Sequence, residues 1–223
     1  MSREASTASC PLCGAAQGEF FCRDSRREYI ACGRCALVYV PGQYHLSPEL
    51  EQAEYDLHEN SPADPGYRRF LSRLAQPLSE RLAPASRGLD FGCGPGPTLS
   101  LMLEELGHSM SLYDLYYFPE ATVLDAGYDF ITATEVVEHL RQPGLVLARL
   151  WSLLPAGGWL AVMTKLVRDR QAFASWHYKN DPTHLCFFSR PTWCWWAAEN
   201  SAELEFIGAD VILLRRVGGE PQL

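Results

Sequence analysis

The chain lacks any apolar run of the roughly 18 residues that a membrane-spanning helix requires. That excludes an integral helical membrane protein. Its opening, Met1-Ser2-Arg3-Glu4-Ala5-Ser6-Thr7, lacks the apolar core of a secretory signal, so a cytoplasmic location without membrane attachment is the expectation. Positive charge is in short supply: 19 Lys and Arg stand against 27 Asp and Glu, a formal net charge of -8. A deficit of that sign argues against a broad nucleic-acid surface, because phosphate binding comes mainly from Lys and Arg. It leaves room for a local patch, and Arg23, Arg26, Arg27 and Arg34 cluster near the N-terminus. Internal repeats and low-complexity segments are absent as well. Core-forming material is plentiful. Of 223 residues, 47% are hydrophobic and 12% aromatic, enough for one large or two small domains.

The cysteines form the first pattern. Cys10-Pro11-Leu12-Cys13 and Cys32-Gly33-Arg34-Cys35 are two Cys-x-x-Cys knuckles with 18 residues between them. That spacing suits a four-thiolate zinc site, each knuckle offering two sulfurs to one tetrahedral ion. Residues 19–22 and 28–31 are expected to pair as a short hairpin, with Val38 and Tyr39 as a further strand, so residues 10–40 read as a zinc ribbon. A pair of disulfides is the rival, disfavoured in a reducing compartment. Four thiolates leave no open position, so the zinc is expected to be structural and the ribbon to serve as a docking platform for a protein partner. Cys22, Cys93, Cys186 and Cys194 have no knuckle partner and read as small buried apolar groups.

Residues 1–9 are small and polar, expected as a disordered tail. Residues 41–66 carry Pro41-Gly42, Pro48, Pro62, Pro65 and Gly66 and read as a linker. The linker also holds Tyr44, His45, Tyr55, His58 and Asn60. So aromatic a linker either folds over an active site or packs the ribbon against the core. From residue 67 onward strand and helix patterns alternate. Strands are expected at about 87–91, 109–113, 129–133 and 158–164, then an antiparallel pair at 203–207 and 210–216. Helices are expected at about 67–82, 97–106, 135–139, 143–153 and 191–200. Such alternation predicts an α/β fold with a mostly parallel sheet covered on both faces.

The most informative stretch is Gly88-Leu89-Asp90-Phe91-Gly92-Cys93-Gly94-Pro95-Gly96. Strand, glycine-rich turn and helix open many nucleotide-binding α/β domains. A carboxylate just before the glycines opposes a phosphate and suits a ligand with an amino group and a positive charge. Three later segments follow in order: 110–114 ending in Asp114, 128–140 containing Thr134-Glu135-Val136-Val137-Glu138-His139, and 153–164 with Gly157-Gly158. Together these motifs resemble class I S-adenosylmethionine (SAM) dependent methyltransferases, over about residues 67–217, and imply their Rossmann-like sheet with an antiparallel last strand. One departure is visible. Only 14 residues lie between Asp114 and Asp129, too few for a usual third strand and crossover helix; Val123-Leu124-Asp125 is expected to keep a remnant of that strand.

The resemblance implies roles for particular residues. Asp90 would hold the methionine amino group. Gly92, Gly94 and Gly96 would admit the cofactor to the backbone, with Cys93 lining the site unreactively. Asp114 would take the ribose hydroxyls, with Leu115 beside it, and Tyr116, Tyr117 and Phe118 would wall the adenine. Thr134 and Glu135 would line the methyl-transfer face. Glu135, Glu138 and His139 stand at i, i+3 and i+4, one side of a helical turn. His184 follows later in Asn180-Asp181-Pro182-Thr183-His184. These residues resemble a turn that holds a divalent metal in small-RNA 2′-O-methyltransferases. The other uses are acid/base or positioning work by His139, His184 or His177, and plain capping and packing. His177, Tyr178 and His184 are the polar candidates for gripping an acceptor, Lys165 and Lys179 for meeting an anionic one. The expected activity is methyl transfer to a small-molecule or carrier-linked acceptor, at oxygen. RNA methylation with the ribbon as foothold is one alternative. A non-catalytic SAM-binding or protein-interaction module is another.

Overall fold

The computed structural model describes residues 9–16, 18–57 and 60–218. The expected tail, Ser9 excepted, and His58 lie outside them. Six strands build the main sheet. They are β4 (Arg87–Phe91), β5 (Ser109–Tyr113), β6 (Phe130–Thr134), β7 (Trp159–Met163), β9 (Ala202–Ile207) and β10 (Val211–Arg216). Their order is β5-β4-β6-β7-β10-β9. The first four run parallel, and β10 lies antiparallel between β7 and β9. The parallel strands therefore end together, at Phe91, Tyr113, Thr134 and Met163, and the loops leaving those ends share one edge.

Alternation along the strands divides the core. Phe130, Ala161, Met163, Val211 and Leu213 face one side, with Leu71, Leu74, Ala75 and Leu78 of α2 (Pro65–Ser79) and Leu99 and Leu103 of α3 (Thr98–Glu105). Ile131, Ala133, Leu160, Val162, Ile212 and Leu214 face the other, against α4 (Pro143–Ser152) and α6 (Arg190–Glu199). A period of two in the strands and of three to four in the helices is what such a two-sided core requires. Helix starts are marked locally. The Asp64 side chain accepts the Gly66 N–H ahead of α2, and Ser189 and Thr192 form a capping box on α6.

Among the described residues no strand forms between β5 and β6. The expected remnant at 123–125 belongs to a 3-10 turn, Ala121–Asp125, and Asp125 pairs with Arg149 on the surface. Pro119 and so short a connection leave no room for a strand plus a return helix. The expected helix at 135–139 is also absent. Glu135 takes a left-handed φ of 52°, and a single 3-10 turn, Val137–His139, follows.

The N-terminal hairpin forms at β1 (Gly18–Arg23) and β2 (Glu28–Cys32), followed by β3 (Val38–Tyr39). Its sheet does not stop there. Strand β8 (Cys186–Phe187), 147 residues beyond Tyr39 by subtraction of the two positions, pairs with β3. The ribbon residues Tyr29, Ile30, Leu37 and Val38 share one buried cluster with Phe173, Phe187 and Trp193. The segment 41–66 contributes α1 (Pro48–Tyr55), capped by Ser47.

Gly88 is the tightest point of the main sheet: a Cβ there would overlap the Phe130 ring and approach Met110 Sδ to 2.6 Å. Gly88→Ala is expected to destabilise the protein by about 1–3 kcal/mol through overpacking, measured as a lower midpoint in urea unfolding.

Candidate active site

The loops at the shared strand edge enclose a cavity of about 700 Å³, within the size range of small-molecule and cofactor sites. Glycine geometry shapes its floor. Gly92 and Gly94 have φ of 72° and 65°, a region that side chains with a Cβ rarely enter. A Cβ on Gly92 would also meet Val136 Cγ2 at 2.5 Å. Gly96 serves another purpose. The Asn60 backbone carbonyl lies directly over it, and Gly96 does not line the cavity, whereas Asn60 does. The third glycine thus lets the segment before α2 close down on the loop. From the same segment, Glu51 and Tyr55 of α1 join the wall.

Asp90, at the end of β4, is buried, and its two carboxylate oxygens accept the hydroxyls of Thr132 (2.7 Å) and Ser100 (2.9 Å). Burial raises its pKa, against those two hydrogen bonds. Asp114, at the end of β5, accepts the Gly94 N–H at 3.0 Å and the Tyr116 and Tyr117 N–H groups at 2.9 and 3.1 Å. It therefore ties the glycine loop to the turn that presents Tyr116 and Tyr117. Leu115, Cys93 and both tyrosines line the cavity; Phe118 does not. Burial pushes the Cys93 thiol up, so it stays protonated and unreactive at neutral pH.

At the end of β6 the polar groups lack partners. Thr134 Oγ1 and Glu135 Oε1 are buried with no hydrogen-bond partner among the described residues, and both residues line the cavity. Burial, then the Glu138 charge, pushes Glu135 up to about 8. Glu138 is fully buried and raised to about 7, burial again dominating. The Tyr178 hydroxyl donates to Glu138 Oε1, while Glu138 Oε2 has no partner among the described residues. Because Glu135 sits in a left-handed conformation outside any helix, it is not one face with Glu138 and His139. Instead Glu138, His139 and His184 bring ligand atoms within 4.8 Å of one another, with Glu135 outside that group.

His184 and Asp181 enter from the loop before β8. His184 Nδ1 lies 2.7 Å from the Tyr178 carbonyl, so it carries the proton and donates it. Nε2 then faces Asp181 Oδ2 at 3.6 Å. Burial lowers the His184 pKa below 6.5, and Asp181 opposes this. His177 is not brought to the site. It is exposed, absent from the cavity wall, and its Nε2 lies 3.2 Å from Lys165 Nζ. Lys165 lines the cavity and lies over the Tyr178 ring; Lys179 is buried in a pair with Asp24 at 3.0 Å.

Among the described residues, the wall carries Glu51, Asp90, Asp114, Glu135 and Asp181 against one ammonium, Lys165. Asp181, Asn60 and Glu51 had no role in the motif reading. Asp181 could have been found from its own turn: Oδ1 accepts the Thr183 N–H at 2.8 Å, the pattern expected of Asp two residues before Thr. Asn60 and Tyr55 belong to the linker for which folding over an active site is one of two expectations, and both line the cavity.

Away from the cavity, Cys10, Cys13, Cys32 and Cys35 place all four sulfurs within 4.8 Å. Cys10 and Cys35 are 3.5 Å apart, and Cys13 and Cys32 3.4 Å. All are free thiols rather than disulfides. A hydrogen bond from Cys35 lowers Cys10 to about 5. Such a donor set fits a tetrahedral zinc ion.

The family described as "Methyltransferase domain" matches residues 64–205. No curated protein sequence matches the chain. Among solved structures, the 1,6-didemethyltoxoflavin-N1-methyltransferase of Burkholderia thailandensis is similar at 15% identity and a TM-score of 0.52. The match covers 91% of this chain and 100% of that one. A chain from a complex of the Haloferax volcanii Trm112 methyltransferase activator with a methyltransferase is similar at 10% identity and a TM-score of 0.51, over 78% and 100%. Both likenesses concern the fold.

Because Glu135 binds its proton more tightly when folded (4.5 rising to about 8), the folded state holds more protons between those values. Stability therefore falls as pH rises from about 5 to about 8. Glu135→Gln is expected to flatten that slope, measured by chemical denaturation across the range.

Proposed function

The chain belongs to the methyltransferase-domain family, and we propose that it transfers a methyl group from SAM to a hydroxyl of a small or carrier-linked acceptor. One observation carries this reading. The buried Asp90 at the end of β4, Asp114 after β5 and the half-buried Glu135 after β6 converge on one cavity floored by left-handed glycines, with Thr134 Oγ1 and Glu135 Oε1 unpartnered among the described residues. That is a site short of a cation and of hydrogen-bond donors. SAM supplies both, through its ammonium and ribose hydroxyls, and it brings a sulfonium whose methyl is already activated. The Burkholderia structure of like fold holds S-adenosylhomocysteine together with a small-molecule substrate, which supports the same use here.

Asp90 and the Gly92–Gly94 turn would hold the amino acid end, and Asp114 and Leu115 the ribose, with Tyr116 and Tyr117 against the adenine. Thr134 and Glu135 would face the transferring methyl. His184 would act as general base. Its Nε2 lone pair takes the acceptor proton, and Asp181 beside it stabilises the imidazolium that forms. His139, stacked edge-on to His184 at 4.6 Å, would position the ring. His177 has no part in this scheme. The four thiolates would hold one structural zinc.

Of the four ribbon arginines only Arg27 is buried; Arg23, Arg26 and Arg34 stay exposed, so the RNA alternative keeps a small foothold against the net charge of -8. Arg26 and Arg27 donate to backbone carbonyls, and Arg23 and Arg34 pair with Glu28 and Glu199.

Isothermal titration should detect SAM binding. Asp90→Ala should weaken it about tenfold or more, the scale of losing a bond to a charged group; unchanged affinity would remove Asp90 from the site. Metal analysis should find one zinc per chain; a second metal equivalent lost in His184→Ala would instead assign an ion to Glu138, His139 and His184. For the base, methyl transfer should lose rate as pH falls through a value below 6.5, where His184 protonates. Screening acceptors with radiolabelled SAM measures it, and an unaltered rate in His184→Gln would overturn the assignment.

A further inference from the structure

The segment that carries Asp181 and His184 leaves a single 3-10 turn, His177–Asn180, and each of its backbone carbonyls from Tyr178 to Thr183 meets a polar side chain. The Tyr178 carbonyl accepts from His184 Nδ1, and the Thr183 carbonyl lies 3.3 Å from His139 Nδ1. The four between them accept from ribbon arginines, the Asp181 carbonyl also accepting the His184 N–H at 3.3 Å. Arg27 Nη2 donates to the carbonyls of Lys179 (2.7 Å) and Asp181 (2.8 Å), and Nη1 to that of Pro182 (3.1 Å). Arg26 Nη1 takes the Asn180 carbonyl at 2.9 Å. Buried carbonyls outside regular structure must find donors, and here one planar guanidinium meets three of them.

Arg27 is itself only 5% exposed, a placement rare for arginine. Its Nε donates to the Tyr29 hydroxyl at 3.1 Å, and that hydroxyl donates to Asp24 Oδ2 at 2.8 Å. Asp24 also accepts the Arg26 and Arg27 N–H groups and Lys179 Nζ. The fork is thus fixed from behind by the hairpin turn of the ribbon. Downstream, Val40 donates its N–H to the Leu185 carbonyl, and β3 pairs with β8. With the carbonyls turned toward the ribbon, the Asp181 and His184 side chains turn into the cavity.

We propose that Arg27 is a positioning residue, through which the ribbon sets the geometry of the Asp181–His184 pair. This rests on the reading of that pair as the acceptor side of a methyltransferase site. The ribbon is then a fixed part of the acceptor wall. Lysine cannot replace the fork, since it offers a point charge where three carbonyls converge.

The test uses the full zinc-loaded chain and S-adenosylhomocysteine as the probe. In Arg27→Lys, zinc content and homocysteine-nucleoside affinity should stay within about twofold of the parent. Amide exchange at residues 183–185 should quicken at least tenfold. The His184 imidazole nitrogen spectrum should lose its single Nδ1–H tautomer. In Arg27→Ala, added guanidinium should restore that tautomer. A surface control, Arg34→Lys, should change neither. An unaltered His184 spectrum and unaltered exchange in Arg27→Lys would overturn the proposal, as would loss of the tautomer with no recovery in guanidinium. Failure of the parent protein to bind the probe at all would instead count against the methyltransferase reading, leaving the spectrum of His184 to judge Arg27.

Discussion

Excess negative charge at one sheet edge is the constraint on which the rest of the structure turns. Parallel strands necessarily end side by side, and three of them end in acids or lead straight into one: Asp90, Asp114 and Glu135. Gathering carboxyls in a half-enclosed space is unfavourable, because burial and mutual repulsion both oppose ionisation. The chain answers in two ways. Asp90 and Asp114 are given hydroxyl and N–H donors. Glu135 and Glu138 retain protons near neutral pH. A cationic ligand would relieve what remains. A sulfonium that becomes a neutral thioether on reaction would be held more tightly before methyl transfer than after it, which favours turnover.

The cysteine-bearing N-terminal unit and the main sheet are less separate than their motifs imply. Ribbon and sheet share a buried cluster, and β8 from beyond residue 180 completes the ribbon's own sheet. A thiolate-bound zinc would stiffen a hairpin whose turn, Asp24 to Arg27, grips the loop bearing Asp181 and His184. Stability of the small N-terminal unit and precision at the proposed acceptor side would then have one physical origin. The segment between the halves closes the other side: α1 and Asn60 lie against the glycine loop, with Gly96 permitting the contact.

Much of this was written in local patterns. Strands 87–91 and 109–113 and the helices at 65–79, 98–105 and 143–152 follow from alternation, helical spacing and caps, each a property of neighbouring residues. The glycine turn, the strand-end acids and the paired Cys-x-x-Cys knuckles are likewise short-range signals. Where local signals conflicted with a resemblance, the reading slipped. Residues 135–139 have helical spacing, but the chain must turn sharply off β6, and Glu135 takes a left-handed φ instead. Residues 123–125 have strand composition and lie beside the edge strand β5, but the connection is too short for a strand and its return helix and closes as a 3-10 turn.

Sequence alone determined which chemistry the chain carries: four thiolates at metal spacing, acids at strand ends, and histidines on either side of the strand at 159–163. Only the tertiary structure decided which of those groups meet. It separated His177 from the cavity, joined Asp181 to His184, and turned Arg27 from a candidate surface charge into a buried clamp. The reason is that hydrogen-bond partners of an irregular loop are set by whichever distant segment packs beside it, and no periodicity along the chain records that choice.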